Sequence, residues 1–444
     1  MNIGPRDQPS LSLSILISLC LSESATSLAK SPYEIVWERQ VGTPGHDLSH
    51  AVAADALGNL FLAWTFDKPP SSEQSVGYDT AISKYDLDGN LEWTRTYDSA
   101  ISDLGYDITT DNLGNAYLAG VTVVASNGDV NAAHANGFLK KIDADGNSLW
   151  ERQFGTDGND EVDSVFANGQ GEVFVAGITN GSLGTPNAGG IDAFVSKFDD
   201  SGHQVWTRQF GTNVADSGWA VSADKLGNVF VSGTTFGLIG SEAFGSADTF
   251  TIKLDADGNT LWKRQWGTNT YDQSYAVQAD SQGGAYIAGY GDGAFVARYD
   301  ADGNQLWVSY LKSGLDDLAS SVVVDDIGKV YVSGWTRGTL GDESLGGIDS
   351  FVSRFTPDGV LEWLTQFGSD ADDGASGLSV DLDRDVYVSG LTWGSLAGPH
   401  LGGGGDAFLV KLSTPKVPEP SSLALLLLTV GCHACFQRKS EIKW

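Results

Sequence analysis

A tryptophan returns along this 444-residue chain as Trp37, Trp93, Trp150, Trp206, Trp262, Trp307 and Trp363, at intervals of 56, 57, 56, 56, 45 and 56 residues. Nothing else in the sequence limits the fold so strongly, because a unit that recurs at a fixed period must bury its apolar faces against copies of itself. Other positions hold the same phase. Ten residues after each tryptophan stands an aspartate: Asp47, Asp103, Asp160, Asp216, Asp272, Asp317 and Asp373. Twenty-one residues after it stands a glycine, Gly58 through Gly328, with Arg384 taking its place in the last unit.

Inside a unit the hydrophobic period is two. In the fourth unit "GWAVSAD" (218–224), "NVFVSGTT" (228–235), "DTFTIKLD" (248–255) and "TLWKRQWG" (260–267) are short β-branched and aromatic runs bounded by Gly, Asp and Asn, which predicts four strands. Short strands at even spacing with periodic Gly and aromatic markers predict an all-β propeller of four-stranded antiparallel blades around a channel. A solenoid of the same units would need distinct capping repeats, and none is visible. The first unit begins with a lone fourth strand, "YEIVWERQVG" (33–42), and the last ends on a lone third strand, "DAFLVKLS" (406–413). The two complete each other, so residues 33–413 are expected to form seven blades closed 3+1 by the N-terminal strand.

The stretch "DADGNSLWERQFGT" (143–156) has the look of a calcium loop. An EF-hand loop, however, places glycine sixth and a bidentate glutamate twelfth, whereas here Gly146 is fourth and Phe154 twelfth. Its copies "DDSGHQVW" (199–206) and "TPDGVLEW" (356–363) lose the carboxylate pattern and keep the glycine. A hairpin turn with glycine at positive φ is therefore the expectation.

Charge and cysteine content narrow the function classes. With 57 acidic against 26 basic residues the net charge is −31, which argues against nucleic acid as a partner, since phosphate neutralisation needs clustered Lys and Arg. The three cysteines, Cys20, Cys432 and Cys435, lie in the terminal segments, so the body is predicted to be held by packing without disulfides. No cofactor is required on this reading, and a monomer is expected.

Stretches such as "GGIDAFVSKFDDSGHQVWTRQFGT" (189–212) and "GNVFVSGTT" (227–235) resemble the bacterial β-propeller repeat family known as SBBP. The resemblance covers roughly residues 33–413 and implies a propeller in a secreted or surface protein, with no shared catalytic motif. Unit five is short, passing from "AYIAGYG" directly to "DGAFVARYD".

The termini read as sorting signals. Residues 1–29 form a signal peptide on this reading: the apolar run "LSLSILISLCLS" (11–22) is too short to span a bilayer, and "SLA" ending at Ala29 offers a cleavage site. Residues 414–444 contain "VPEPSSLALLLLTVGCHACFQRKS" (417–440). This segment resembles the PEP-CTERM sorting tail, with Pro418, Glu419 and Pro420 matching its tripeptide. The resemblance implies an exosortase-type enzyme as partner, removal of the tail and delivery outside the cell. A plain membrane anchor is the alternative.

Three sets of residues are candidates for more than scaffolding. His46 and His50, four apart, are expected to be surface histidines rather than a metal pair. The third-strand bases Lys84, Lys141, Lys197, Lys253, Arg298, Arg354 and Lys411 are expected to pair with the abundant acids, each pair contributing about 0 to 1 kcal/mol if exposed. The seven phased aspartates either fasten strand starts by accepting backbone hydrogen bonds or ring the channel mouth as a weak Ca2+ site, and repetition in every blade favours the fastener. The variable segments 66–80, 123–137 and 236–248 share one face and look like binding loops. The chain is thus expected to be a non-catalytic exported scaffold that binds an extracellular protein or glycan. The alternatives are a channel-mouth glycosidase or lyase, which would need paired carboxylates, and a calcium-binding surface protein.

Overall fold

A computed structural model describes residues 31–415 apart from 69–76, 98–100, 112, 127–128, 241 and 342–343. The leader with Ala29, the tail with Pro418, Glu419 and Pro420, and all three cysteines lie outside the described residues.

The 28 strands form seven four-stranded sheets. β1 (Glu34–Val41) pairs antiparallel with β28 (Asp406–Ser413), from Glu34 opposite Ser413 to Val41 opposite Ala407. The order of that sheet is β1-β28-β27-β26, with β27 spanning Val386–Thr392 and β26 Asp373–Val380. The ring is closed 3+1, as the two incomplete sequence units require. Each other blade uses four consecutive strands, beginning with β2 (Asp47–Ala54) to β5 (Leu91–Tyr97).

Burial follows strand rank. The middle strands of the fourth blade, Val229–Thr235 and Asp248–Leu254, are buried at every position, whereas its outer strand, Thr260–Trp266, keeps exposed residues. A middle strand is sandwiched between two neighbouring blades, so both of its faces must be apolar or small. Phe174, Ala176 and Val195 of one blade pack against Val221, Val229, Val231 and Phe250 of the next. Full burial of a side chain such as Phe250 contributes about 1.5–3 kcal/mol.

The repeated tryptophan joins blade to blade. Trp37 Nε1 donates to the Leu87 carbonyl (3.1 Å), Trp150 to Asp200 (2.9 Å), Trp206 to Ala256 (3.1 Å), and Trp93, Trp262 and Trp307 do likewise to Ala144, Ala301 and Pro357. Each acceptor sits in the third-to-fourth-strand turn of the following blade. That turn is what "DADGN" encodes. Asp143 Oδ1 accepts from the amides of Asp145 and Asn147, Oδ2 from Asn147 Nδ2, and Gly146 has φ 82°. The glycine answers two demands at once: positive φ, and contact with the neighbouring indole, since a Cβ on Gly202 would lie 2.9 Å from the Trp150 ring.

One expectation changes and one is met at an unexpected depth. The segment 123–137 is no loop for most of its length, because Ala116–Ser126 and Asp129–Ile142 continue as one long hairpin, down to Ser126 opposite Asp129. The β-branched run "VTVV" at 121–124 prolongs the pleat beyond the blade. Six of the third-strand bases pair with acids as expected, Lys84 with Glu92, Lys141 with Asp200, Lys197 with Glu172, Arg298 with Asp280, Arg354 with Glu362 and Lys411 with Asp385, but from within the blades: Lys84, Lys141, Lys197, Lys253 and Lys411 are all under 9% exposed. Each of the seven cations lies 5.0–6.0 Å from a second-strand ring, as Lys253 does over Phe230 and Lys411 over Tyr387. Lys253 Nζ donates to the Gly283 and Ala301 carbonyls, and Lys141 pairs with Asp200.

Candidate functional site

The phased aspartates stand at the start of the inner strands, and all seven are buried. Asp160 Oδ2 accepts from the Thr156 amide and hydroxyl, Asp216 and Asp272 do the same with Thr212 and Thr268, and Asp373 with Ser369. Asp47 and Asp317 accept the amides of Thr43 and Ser313, both at 2.7 Å, and Asp103 occupies the same strand position. Six of the carboxylates thus tie an inter-blade crossing to the strand it enters. Burial, with Asp406 adding repulsion, pushes Asp47 up to about 6, and burial likewise raises Asp216, Asp272 and Asp373. Among the described residues no group of three or more His, Cys, Asp or Glu side chains is arranged to hold a metal ion.

The sequence hides a second ring of residues, three positions further along. Every inner strand carries a β-bulge at the same step, for example between Ser49 and Ala51, Val162 and Ser164, and Gly218 and Ala220. The skipped residues are His50, Tyr106, Asp163, Trp219, Tyr275, Ser320 and Ser376. A bulge re-aims its extra side chain out of the sheet's alternation, and here the direction is the channel: six of the seven line a cavity of about 320 Å³ on the propeller axis. The bulge also marks the partner strand. In six blades the residue opposite is glycine, as at Gly177, where a Cβ would stand 1.9 Å from the Glu161 carbonyl, while the first blade has Trp64 there.

The bulge ring has two chemically different halves. Ser320 Oγ donates to the Ala375 carbonyl (2.9 Å) and Ser376 Oγ to the Ser49 carbonyl (2.7 Å), so both hydroxyls are spent on neighbouring blades. The other half is aromatic and acidic. His50 meets Tyr106 edge-on at 5.4 Å and hydrogen-bonds Thr65 Oγ1 at 3.1 Å. Asp163 Oδ2 and Trp219 Nε1 are buried with no hydrogen-bond partner in the protein. Asp107, beside Tyr106, is spent on the next blade, accepting from Ser164 Oγ (3.0 Å) and the Val165 amide (2.8 Å).

Burial disfavours charge in this half. It pushes the His50 imidazole down to about 4 and the Tyr275 hydroxyl up to about 12, and raises Tyr106 as well. Burial and then the Glu161 carboxylate hold Asp163 well above the usual carboxylate range; burial raises Glu161 and takes Asp107 to about 6. The neck opens on the tight-turn face into a wider cavity of about 530 Å³, which shares Phe166 and Gln278 with it and is bordered by Asp280, Arg298 and Asp325.

His50 is therefore no surface histidine, and it does not meet His46. The His46 ring instead stacks on Trp393 at 5.5 Å and accepts the Gly405 amide at Nδ1 (3.0 Å). The bulge ring was open to sequence inspection as the position thirteen residues after each tryptophan, where the frame stays fixed and the chemistry does not.

Fold and channel together define a seven-bladed β-propeller with an asymmetric axial cavity. No protein-family model matches the chain. A curated relative, the regulatory protein FlaEY of Caulobacter vibrioides, is 25% identical over 186 residues, which is 38% of this chain and 18% of that protein. The chain thus spans less than a fifth of that relative's length. Among solved structures it is similar to BamB of Moraxella catarrhalis (12% identity, TM-score 0.42, 86% of this chain and 99% of that one). It is also similar to the Pan2 WD40 domain of Neurospora crassa (9%, 0.49, 88% and 99%).

Proposed function

We propose that the chain is an exported, non-catalytic binding scaffold of a bacterial cell surface, carried out by a signal peptide and sorted through its C-terminal tail by an exosortase-type enzyme. The observation that carries the binding reading is the bulge ring. Seven equivalent positions, which a purely structural role would fill alike, hold His, Tyr, Asp, Trp, Tyr, Ser and Ser, and six of them, all but His50, surround one cavity. The SBBP and PEP-CTERM resemblances support the export reading.

A rival reading, a glycosidase or lyase, draws on Glu161 and Asp163, two carboxyl groups coupled on one inner strand. They are two residues apart on one strand, and of the two only Asp163 lines the cavity, whereas glycoside hydrolysis needs carboxyl groups flanking the scissile bond. Purified propeller offered to a glycan and protein array, and then to a polysaccharide panel, separates the readings. Saturable binding without turnover supports the scaffold, and turnover replaces it with the enzyme. Mass spectrometry of the mature C-terminus tests the sorting: loss of everything after about Pro420 is expected, and an intact Trp444 on exported protein favours the simple anchor.

A further inference from the structure

The half of the channel neck around Asp163 departs from the rest of the ring in one measurable respect. Buried polar atoms are almost always hydrogen-bonded, and Ser320 and Ser376 obey that rule through the carbonyls of Ala375 and Ser49. Asp163 Oδ2 and Trp219 Nε1 do not. One is an oxygen that can receive a proton-bearing group and the other a pure donor. Their residues stand on adjacent inner strands and line the same cavity as Tyr275 and Tyr106, with the two atoms themselves buried behind its wall.

We propose that this aromatic half of the neck binds a neutral saccharide end, one or two sugar rings long, with Trp219 and Tyr275 as stacking faces and Asp163 and the Trp219 indole as hydrogen-bonding groups. The proposal rests on the binding-scaffold reading and names its ligand class. A hydroxyl group both donates and accepts, so a polyol ring satisfies the two orphan atoms together, and its C–H faces suit aromatic walls. A quaternary ammonium would suit the rings as a cation–π guest yet would leave the Trp219 N–H and the Asp163 oxygen unpaired.

Charge points the same way. The net charge of −31 repels anions, and no basic side chain lines the neck to hold one. Volume sets the length. About 320 Å³ is at the small end of ligand sites, while the 530 Å³ mouth on the tight-turn face gives a longer chain room to leave.

The test is calorimetric and fluorescence titration of the intact propeller with maltose and cellobiose, with choline as a cationic probe and galacturonic acid as an anionic one. Binding of a neutral disaccharide, weakened about tenfold by Trp219→Phe and unchanged by Phe236→Ala on the opposite, loop-bearing face, is the expected result. Trp219→Phe keeps an aromatic face and removes only the N–H; if it lowers the melting temperature by more than a few degrees, Tyr275→Leu serves instead. Choline or galacturonate binding that depends on Trp219 would overturn the saccharide class and leave the scaffold reading standing. Disaccharide binding abolished by Phe236→Ala and indifferent to Trp219 would move the site to the loops. No binding of either disaccharide up to about 10 mM would overturn the site itself.

Discussion

Tyr33 and Trp363 stack with their ring centroids 4.8 Å apart, and the Tyr33 hydroxyl donates to the Arg384 carbonyl at 3.0 Å. This pair stands at the seam of the ring. At six interfaces the tryptophan of one blade covers the glycine turn of the next, but between the sixth and seventh blades no hairpin joins β28 to β1, because these strands are the last and the first of the propeller. Tyr33, just before β1, fills the place of the turn.

Replacing Tyr33 by alanine should therefore cost about 3–5 kcal/mol, the loss for a buried aromatic with its cavity, read as a lower urea midpoint. Deleting residues 33–42 removes β1 altogether and exposes two strand edges, so that variant should lose solubility as well as stability. A soluble truncation with an unchanged melting temperature would contradict the seam.

The buried aspartates accept backbone amides at the strand starts, and that role predicts a contribution independent of metal. Asp216→Ala leaves the Thr212 amide and two threonine hydroxyls without their acceptor and should cost about 1–3 kcal/mol with or without calcium. A calcium-dependent rise in melting temperature that disappears in an Asp160→Asn, Asp216→Asn double variant, with no loss of stability in EDTA, would make the ring a cation site instead.

Turn glycines differ in what a methyl group would meet. Gly258 has φ 79° and its Cβ would stand 3.0 Å from the Trp206 ring; Gly328 has φ 84° with its nearest neighbour at 3.5 Å. Gly328→Ala should cost the left-handed penalty alone, about 1–2 kcal/mol. Gly258→Ala should cost about 1–3 kcal/mol more, because the indole must shift. Equal losses in denaturant titrations of the two variants would remove the tryptophan from the account.

Stability should rise as the pH is lowered from neutrality to about 4. Asp47 and Asp107 titrate near 6 in the folded protein, and burial raises Asp216, Asp272 and Asp373. A carboxyl group whose folded pKa is raised binds its proton more tightly when folded. Its contribution is fully present below the ordinary pKa near 4 and is lost as the pH climbs through the folded value. His50 opposes this: depressed to about 4, it favours the folded state above the ordinary imidazole pKa and loses that advantage as the pH falls toward 4. Further down the turn carboxylates win, since the side chains of Asn147, Asn259 and Asn304 hold Asp143, Asp255 and Asp300 below the usual range and protonation removes those bonds. Melting temperatures across pH 3–8 should peak at about pH 4–5, and Asp107→Asn should flatten the slope on the neutral side. A maximum at pH 7 or above would refute this balance.

The blades, their number and their closure could be read in advance because phased tryptophans, glycines and aspartates report backbone requirements that every copy shares. The same logic concealed the channel. His50, Tyr106, Asp163 and Trp219 share a position but no chemistry, so a search for recurrence passes over them, and a period-two pattern cannot reveal a bulge that adds one residue. The pairing of the third-strand bases with acids was legible, but the depth of Lys253 and its counterparts was hidden for another reason. Charge suggested surface, whereas the long aliphatic stem reaches across a blade interface to carbonyl groups and an aromatic face. At Arg384, with φ 65°, the position keeps its left-handed backbone without the glycine that marks it elsewhere.

The pairing of β1 with β28 also governs time. The first strand of the propeller to leave the ribosome has its only sheet partner in the last one, so it waits, with an unpaired edge, for every intervening blade to be made. Loop closure over nearly the whole chain makes that final pairing the slowest contact to form. Until it forms the assembly is an open arc rather than a ring, so the connectivity itself delays completion of the fold until the last strand has been made.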